Sequence, residues 1–519
     1  MSLPQEDTTL THRPAAAPRS STPGSSTPGS SPPGSSPPDG HAHEEPGRHW
    51  YIDRPKVYAA DVRGRFRRIK WAVLIALLAI YYVTPWIRWD RGPGIPDQAV
   101  LIDMVGRRAY FFWIEIWPQE VYYLTGLLIL GAFGIFFATT LFGRVWCGFA
   151  CPQTVWTDLF MWVERKIEGP RTQRIRLDKA ALSGSKLARK ATKHAAWLAI
   201  SLLTGGAWVF YFNDAPTLMN DLLHGNLTGG VATFIALFSF TTYFFAGWAR
   251  EQICIYVCPW RSFQSAMVDE DTFLVTYEDW RGEGRGPLRK SQSWTDRQAA
   301  GLGDCIDCKQ CVQVCPTGTD IRKGQQISCI GCGLCVDACN EVMAQIGRPG
   351  DLVRFDTQSN QIAKIDGRAE RVKLVRPRTV IYSLIMLVVV AAMAIALVLR
   401  PSLDVSVLRD RAPLFVTLSD GSVQNAYTIK VLNKTHVARS YAVTIDGLSG
   451  PQLSVAGDEQ AGRGGSLLLT ADPDTVATYR VFVKVPAASV TSGSTDIAVV
   501  ARDAASGETG RHASVFMAP

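Results

Sequence analysis

At 519 residues, 47% of them apolar and 12 of them cysteine, the chain is long enough for several domains. Its formal charge of +8 comes from 54 basic and 46 acidic residues. The basic excess gathers beside apolar stretches, which points to anionic lipid headgroups and excludes nucleic acid as its electrostatic partner. No apolar run with a cleavage site opens the sequence, so the expectation is a retained first anchor and not a signal-peptide export product.

Residues 1–62 come first. The Ser, Pro and Gly repeats between Ser20 and Gly40 have no apolar period and cannot support a packed core, so a disordered cytoplasmic tail is expected. His41, His43 and His49 read as solvated polar residues within it. Residues 63–258 follow as a four-span membrane domain. A helical bilayer crossing takes about 20 residues, and apolar stretches of that size run over 71–89, 121–142, 195–212 and 227–248. Tryptophans and tyrosines sit near many of their ends, as interfacial belts require. The aromatic segment 110–117 is shorter and carries Glu115, so it reads as interfacial or re-entrant. A fifth apolar stretch, 379–399, lies within residues 376–400.

Arg63, Arg65, Arg67, Arg68 and Lys70 precede the first span, and a densely basic loop joins Arg165 to Lys193. Both belong in the cytoplasm by the positive-inside rule, although Arg88, Arg91, Arg107 and Arg108 then land outside. The expected protein is multi-pass in the bacterial inner membrane, with residues 401–519 in the periplasm.

All 12 cysteines fall into four tight groups. Two groups read Cys305-x2-Cys308-x2-Cys311-x3-Cys315-Pro316 and Cys329-x2-Cys332-x2-Cys335-x3-Cys339. This is the bacterial two-cluster ferredoxin spacing, in which the fourth thiolate of each motif crosses to the other cluster. The expected ligands are Cys305, Cys308, Cys311 and Cys339 for one [4Fe-4S] cluster, and Cys329, Cys332, Cys335 and Cys315 for the second. Zinc would use two separated cysteine pairs around one ion, and these runs exceed that need. Residues 259–375 are the expected cytoplasmic ferredoxin-like domain.

The other four cysteines form two Cys-x3-Cys-Pro motifs: Cys147 and Cys151 before Pro152, and Cys254 and Cys258 before Pro259. Residues four apart share a helix face, so each pair could aim two sulfurs at one ligand. The proline then disfavours helix at the second cysteine. Inert buried thiols would explain one such pair; two matched pairs at the inward ends of the second and fourth spans read better as a metal site. In the cytoplasm, disulfides are rare and all these thiols stay available.

Residues 401–519 contain no cysteine and read as β. Short, partly alternating runs at 427–431, 441–445, 479–485 and 497–500 are separated by Gly, Asp, Asn and Pro, which fits an immunoglobulin-like sandwich. Its two histidines, His436 and His512, read as surface or packing residues.

In order of features the chain resembles the FixG/CcoG family of cytochrome c oxidase accessory proteins: paired Cys-x3-Cys-Pro motifs at helix ends, two ferredoxin motifs, a late span and a C-terminal immunoglobulin-like domain. Asn340 stands after Cys339 where the first motif has Pro316, a departure that touches no ligand. The resulting fold class is a multidomain membrane protein: an α-helical bundle of five spans, a two-[4Fe-4S] ferredoxin-like domain and an all-β sandwich. The resemblance implies a role in assembling cbb3-type oxidases by reducing Cu(II) to Cu(I), a cupric oxidoreductase activity. Copper would be handled at Cys147, Cys151, Cys254 and Cys258, since thiolates prefer soft Cu(I); a third iron-sulfur cluster on the same thiols is the competing occupant. Expected partners are membrane lipid, oxidase subunits or copper-delivery proteins and a cytoplasmic electron donor, with a homo-oligomer also allowed. Two other functions remain open. One is NapH-like quinol oxidation, with Glu115 and Glu120 as proton acceptors; the other is a non-catalytic assembly scaffold.

Overall fold

The computed structural model describes residues 56–519 apart from 93, 290–291, 458–464 and 491. The Ser/Pro/Gly-rich repeats and His41, His43 and His49 lie outside the described residues. Residues 57–62, expected as part of the tail, form instead an extended strap. The Ala60 amide donates to the Gln313 carbonyl at 2.8 Å, and the Tyr58 hydroxyl to the Asp178 carboxylate at 2.6 Å.

Helix α1 (Arg65–Val83) follows at once. Its first amides have no partner within the helix, and a distant side chain supplies one. The Asp337 carboxylate accepts from the Phe66 and Arg67 amides at 3.2 and 2.8 Å. Beyond α1 the chain makes an antiparallel sheet of β1 (Val100–Asp103), β2 (Arg108–Phe111) and β3 (Ile114–Ile116). This corrects the re-entrant reading of 110–117: Tyr110 pairs with Leu101 on one side and Glu115 on the other. Strands satisfy the backbone groups that a re-entrant loop would strand in lipid.

Helix α2 (Tyr122–Phe142) leads through a turn to α3 (Pro152–Glu168) and α4 (Arg171–Lys179), then α5 (Gly184–Val209), α6 (Ala215–His224), α7 (Gly229–Thr242) and α8 (Trp260–Met267). Among the described residues, four helical stretches are long and apolar enough to cross a membrane: Arg65–Trp86, Pro118–Phe142, Gly229–Ala249 and Pro377–Val398. Their faces expose Ile75, Leu128, Phe240 and Leu387, the residues lipid would cover. The expected span at 195–212 is not among them, because it is the second half of α5, whose first half carries Lys186, Arg189, Lys190 and Lys193. That second half is tuned for helix contact. A Cβ on Gly205 would lie 2.8 Å from the Ile235 carbonyl oxygen of α7, the close approach that small residues permit between membrane helices.

The basic stretch 165–193 is helical too, and much of its charge points inward. Glu164 is fully buried and meets Arg250 at 2.9 Å and Arg174 at 3.4 Å, while Glu168 meets Lys190 and Lys193, each at 2.9 Å. Asp158 holds Arg67 at 2.8 Å. Several cations counted as lipid-facing are therefore partners of buried carboxylates.

The cysteine-rich segment contains β4 (Leu274–Tyr277), short helices α9 (Asp279–Gly282), α10 (Trp294–Ala299) and α11 (Gln310–Gln313), then α12 (Leu334–Gln345), β5 (Val353–Asp356) and α13 (Gln358–Ile365). β4 and β5 pair antiparallel. Helix α14 (Pro377–Val398) packs along α2 and delivers the chain to a β-sandwich.

That sandwich has one sheet of β6 (Leu403–Arg409), β7 (Val416–Thr417), β8 (Val423–Asn433), β10 (Gln452–Val455) and β12 (Thr475–Val485). The other is built from β9 (Arg439–Asp446), β11 (Ser466–Ala471), β13 (Gly493–Asp503) and β14 (Thr509–Ala518). The four expected runs fall in β8, β9, β12 and β13. Tyr427, Ile429 and Val431 alternate inward and are wholly buried against Val443, Val481 and Val499, the period-2 pattern of a half-buried strand. The sandwich sits on the β1–β3 side of the helices, where Glu120 accepts from Arg400 at 2.6 Å and Lys434 at 2.9 Å.

Candidate metal centres

None of the 12 cysteines is in a disulfide, and they gather into three sets. Cys305, Cys308, Cys311 and Cys339 line one cavity with Tyr277 and Met343. Burial pushes the Cys339 thiol up to about 12, and the neighbouring Cys311, Cys305 and Cys308 thiols add to the rise. Cys315, Cys329, Cys332 and Cys335 form the second set. Burial also raises Cys335 strongly, followed by its neighbours Cys332, Cys329 and Cys315. The fourth cysteine of each motif thus stands with the other motif's first three.

Local backbone explains the convergence. Asp307 and Lys309 flank Cys308 with φ of 53° and 58°, and Gly331 and Gly333 flank Cys332 with φ of 67° and 72°. Two left-handed residues per motif curl the chain around a common centre. Backbone amides also face sulfur: Thr319 N–H lies 3.3 Å from Cys315 Sγ, and Gly331 N–H 3.5 Å from Cys329 Sγ. Crowded buried thiolates repel one another, and a cationic metal core removes that penalty. The donor sets fit iron-sulfur clusters.

The third set is Cys147, Cys151, Cys254 and Cys258. Cys254 is pushed up to about 12, first by burial and then by the Cys151, Cys147 and Cys258 thiols. The expected plain helical spacing is replaced by π-helical turns, Trp146–Ala150 and Ile253–Val257. The Cys151 amide donates to the Trp146 carbonyl and the Cys258 amide to the Ile253 carbonyl, both at 2.9 Å. Each turn is preceded by a left-handed residue, Gly143 with φ 61° and Arg250 with φ 40°, and followed by a proline. The two motifs are structural repeats whose thiols act on one another, and π-turns of this kind gather at functional sites.

Spacing constrains the occupant. Among the described residues, the one trio of histidine, cysteine or carboxylate ligand atoms lying within 4.8 Å of one another is Glu115, His436 and Asp474. A single tetrahedral zinc would draw its four sulfurs to about 3.8 Å, from Zn–S bonds of about 2.3 Å. Among the described residues, no three sulfurs of the two ferredoxin-type sets lie that close, which sets them apart from a single-zinc site.

The three sets are contiguous. Burial dominates at Cys335, but the Cys311 thiol of the first set also acts on it. Cys147 packs in one apolar cluster with Ile330, Cys332 and Cys335 of the second set. At Gly148 an added Cβ would lie 2.9 Å from both Cys332 Cα and the Ile330 carbonyl oxygen. Arg144 bridges the same seam, donating to the Ile327 carbonyl and, at 2.9 Å, to that of Cys329. Cys308 is the one cysteine of the twelve that is exposed.

Glu115 pairs with Arg108 at 2.9 Å, and Glu120 is occupied by Arg400 and Lys434, so neither carboxylate is a free base. His436 Nδ1 lies 2.9 Å from an Asp474 carboxylate oxygen, and His512 lies on β14 with its Nδ1 unpaired among the described residues. Sequence reasoning missed Arg144 and Gln264. Gln264 is fully buried on α8, and its Oε1 accepts from Cys147 Sγ at 2.9 Å.

Comparison with known proteins agrees with this layout. Residues 249–358 match a 4Fe-4S dicluster domain, 124–170 a 4Fe-4S binding domain, and 393–519 the Ig-like fold at the C-terminus of FixG. The nitrogen fixation protein FixG of Rhizobium meliloti is 44% identical over 497 residues, 90% of this chain and 94% of that protein. Protein RdxA of Cereibacter sphaeroides is 45% identical over 472 residues, 90% of this chain and 97% of its own length. Protein RdxB of the same organism is 46% identical over 473 residues, with the same shares. With that extent of identity, and with its cysteine sets, apolar helices and terminal sandwich in the same chain, this membrane iron-sulfur protein belongs to the FixG family.

Proposed function

We propose that the protein carries single electrons across the three thiol sets to Cu(II), reducing it to Cu(I) for assembly of a cbb3-type haem-copper oxidase. The observation that carries this reading is contiguity. The exposed Cys308 opens a path at the first set, and the Gly148 contact closes the gap between the second set and the paired motifs. Iron-sulfur clusters, when bound, accept and release single electrons at low potential. The chain's part is to hold the sets in van der Waals contact, to bury eleven of the twelve sulfurs at least partly, and to present soft thiolates that favour Cu(I) over Cu(II). Copper is the substrate: Cu(II) gains one electron, replaced at the Cys308 edge by a low-potential cytoplasmic donor.

In this reading the cysteine face is cytoplasmic, the membrane is the bacterial inner membrane, and α5 is a fifth crossing. Two contacts support the last point: Lys193, in the first half of α5, meets Glu168 of α3, while the Tyr81 hydroxyl at the far end of α1 donates to the Thr204 carbonyl in its second half at 2.7 Å. The sandwich then faces the periplasm, where oxidase subunits or copper-delivery proteins would dock.

A second reading has specific support. The 4Fe-4S binding domain matched at 124–170 includes Cys147 and Cys151. The thiols of the third set would then hold a third cluster, with copper met elsewhere. Anoxic protein with a low-potential reductant and a Cu(I)-specific chelator tests the proposal: wild type should form Cu(I), and the Cys147, Cys151, Cys254 and Cys258 to serine variant should not. Equal rates in the two proteins would reject it. About eight irons per chain support copper at the paired motifs, and about twelve the third cluster.

A further inference from the structure

Gln264 is completely buried, and its two ends are unequally served. Oε1 accepts from the Cys147 thiol at 2.9 Å, whereas Nε2 is buried with no partner among the described residues. A buried amide N–H without an acceptor is destabilising, so this arrangement is unsatisfactory as it stands. It becomes satisfactory once Cys147 is a metal ligand. A ligating cysteine has lost its proton and can only accept, and a carbonyl oxygen facing a thiolate repels it. A half-turn of the amide about its last bond exchanges oxygen for nitrogen, a change that leaves the side chain's shape the same. The orphaned Nε2–H then donates to the sulfur.

Position adds to this. Gln264 lies on α8, directly after the second motif, yet touches the first cysteine of the first motif. Cys147 is also the cysteine of the paired motifs that packs against Cys332 and Cys335. Its sulfur is where the third set meets the second.

We propose that Gln264 is a positioning residue that raises the reduction potential of the centre held by the paired motifs, by donating its amide N–H to the Cys147 thiolate. This rests on those four cysteines holding a redox-active metal centre, whether iron-sulfur or copper. A donor on a ligand sulfur stabilises the reduced, more negative state of such a centre. The donor thereby favours the third set as an electron acceptor relative to the same set without it.

The test is an anoxic redox titration of the full chain followed by electron paramagnetic resonance. The signal of interest is the one lost in the variant with all four paired cysteines changed to serine. In Q264M, nearly the same size without a donor, that signal should persist with its reduced-to-oxidised ratio lowered about tenfold, which is about 59 mV for one electron. The ferredoxin-type signals should stay where they are. If Q264M does not load metal fully, Q264N withdraws the amide by one methylene and should shift the signal the same way. A persisting signal with unchanged potential in either variant overturns the role of Gln264 alone. No signal lost in the four-serine variant overturns the reading on which it rests.

Discussion

Replacing Gly148 with alanine should slow electron passage between the second cysteine set and the paired motifs. The new Cβ would stand 2.9 Å from Cys332 Cα and the Ile330 carbonyl oxygen and 3.0 Å from Cys332 N. Carbon contacts settle at about 3.5–4.0 Å, so the two segments must part by roughly 0.6 Å. All three neighbours are backbone and cannot swing aside. Overpacking of this kind costs about 1–3 kcal/mol, and at about 2 kcal/mol the closed seam loses roughly thirtyfold in population. Rapid mixing of the pre-reduced protein with Cu(II), followed by the visible bands of the ferredoxin-type sets, reads the passage. G148A should reoxidise at least about tenfold more slowly with its iron content intact. G206A is the control, because nothing lies within 4 Å of that added Cβ. A G148A protein as fast as wild type would refute the contact as the route.

Other perturbations should have distinct outcomes. E120Q leaves Arg400 and Lys434 facing a neutral amide in a buried site; breaking such a pair costs about 3–5 kcal/mol, so limited proteolysis near residue 400 should accelerate, and unchanged cleavage would contradict the anchoring role. D337A removes the carboxylate that accepts from the Phe66 and Arg67 amides, at about 0.5–2 kcal/mol; the cysteine domain should lose iron at lower urea, with D337N nearer wild type. Stripping the metals anoxically should leave all 12 thiols open to alkylation, since none is in a disulfide, whereas the loaded protein should be labelled at few of them. Mass spectrometry counts the labels, and equal labelling before and after stripping would show that the thiols hold no metal.

The cysteine spacing made the iron-sulfur chemistry readable from sequence because ligand geometry tolerates few spacings. The same holds for the sandwich, where β8 and β12 alternate strictly enough to reveal a buried face. The paired motifs were legible as a site but not in their geometry. An i, i+4 spacing suits an α-helix, and nothing local signals that Cys147 and Cys254 sit in π-turns. Gly148 looked like any small residue, since the Cys332 loop that crowds it arrives from nearly two hundred residues away. Gln264 carried no signal of any kind: its burial comes from tertiary packing alone. The basic residues misled for a physical reason, because Arg174 and Lys193 serve the buried Glu164 and Glu168 as well as any membrane surface. The strands β1–β3 are too short for alternation to emerge.

The most direct test of electron flow through the paired motifs to copper is a single-turnover measurement. The anoxic protein is reduced, freed of reductant and mixed with Cu(II) while the ferredoxin-type signals and Cu(I) are followed together. In wild type those signals should be lost as Cu(I) appears, one copper per electron. In the variant lacking Cys147, Cys151, Cys254 and Cys258 they should stay reduced and no Cu(I) should form. Reoxidation of that variant by Cu(II) at the wild-type rate would contradict the account.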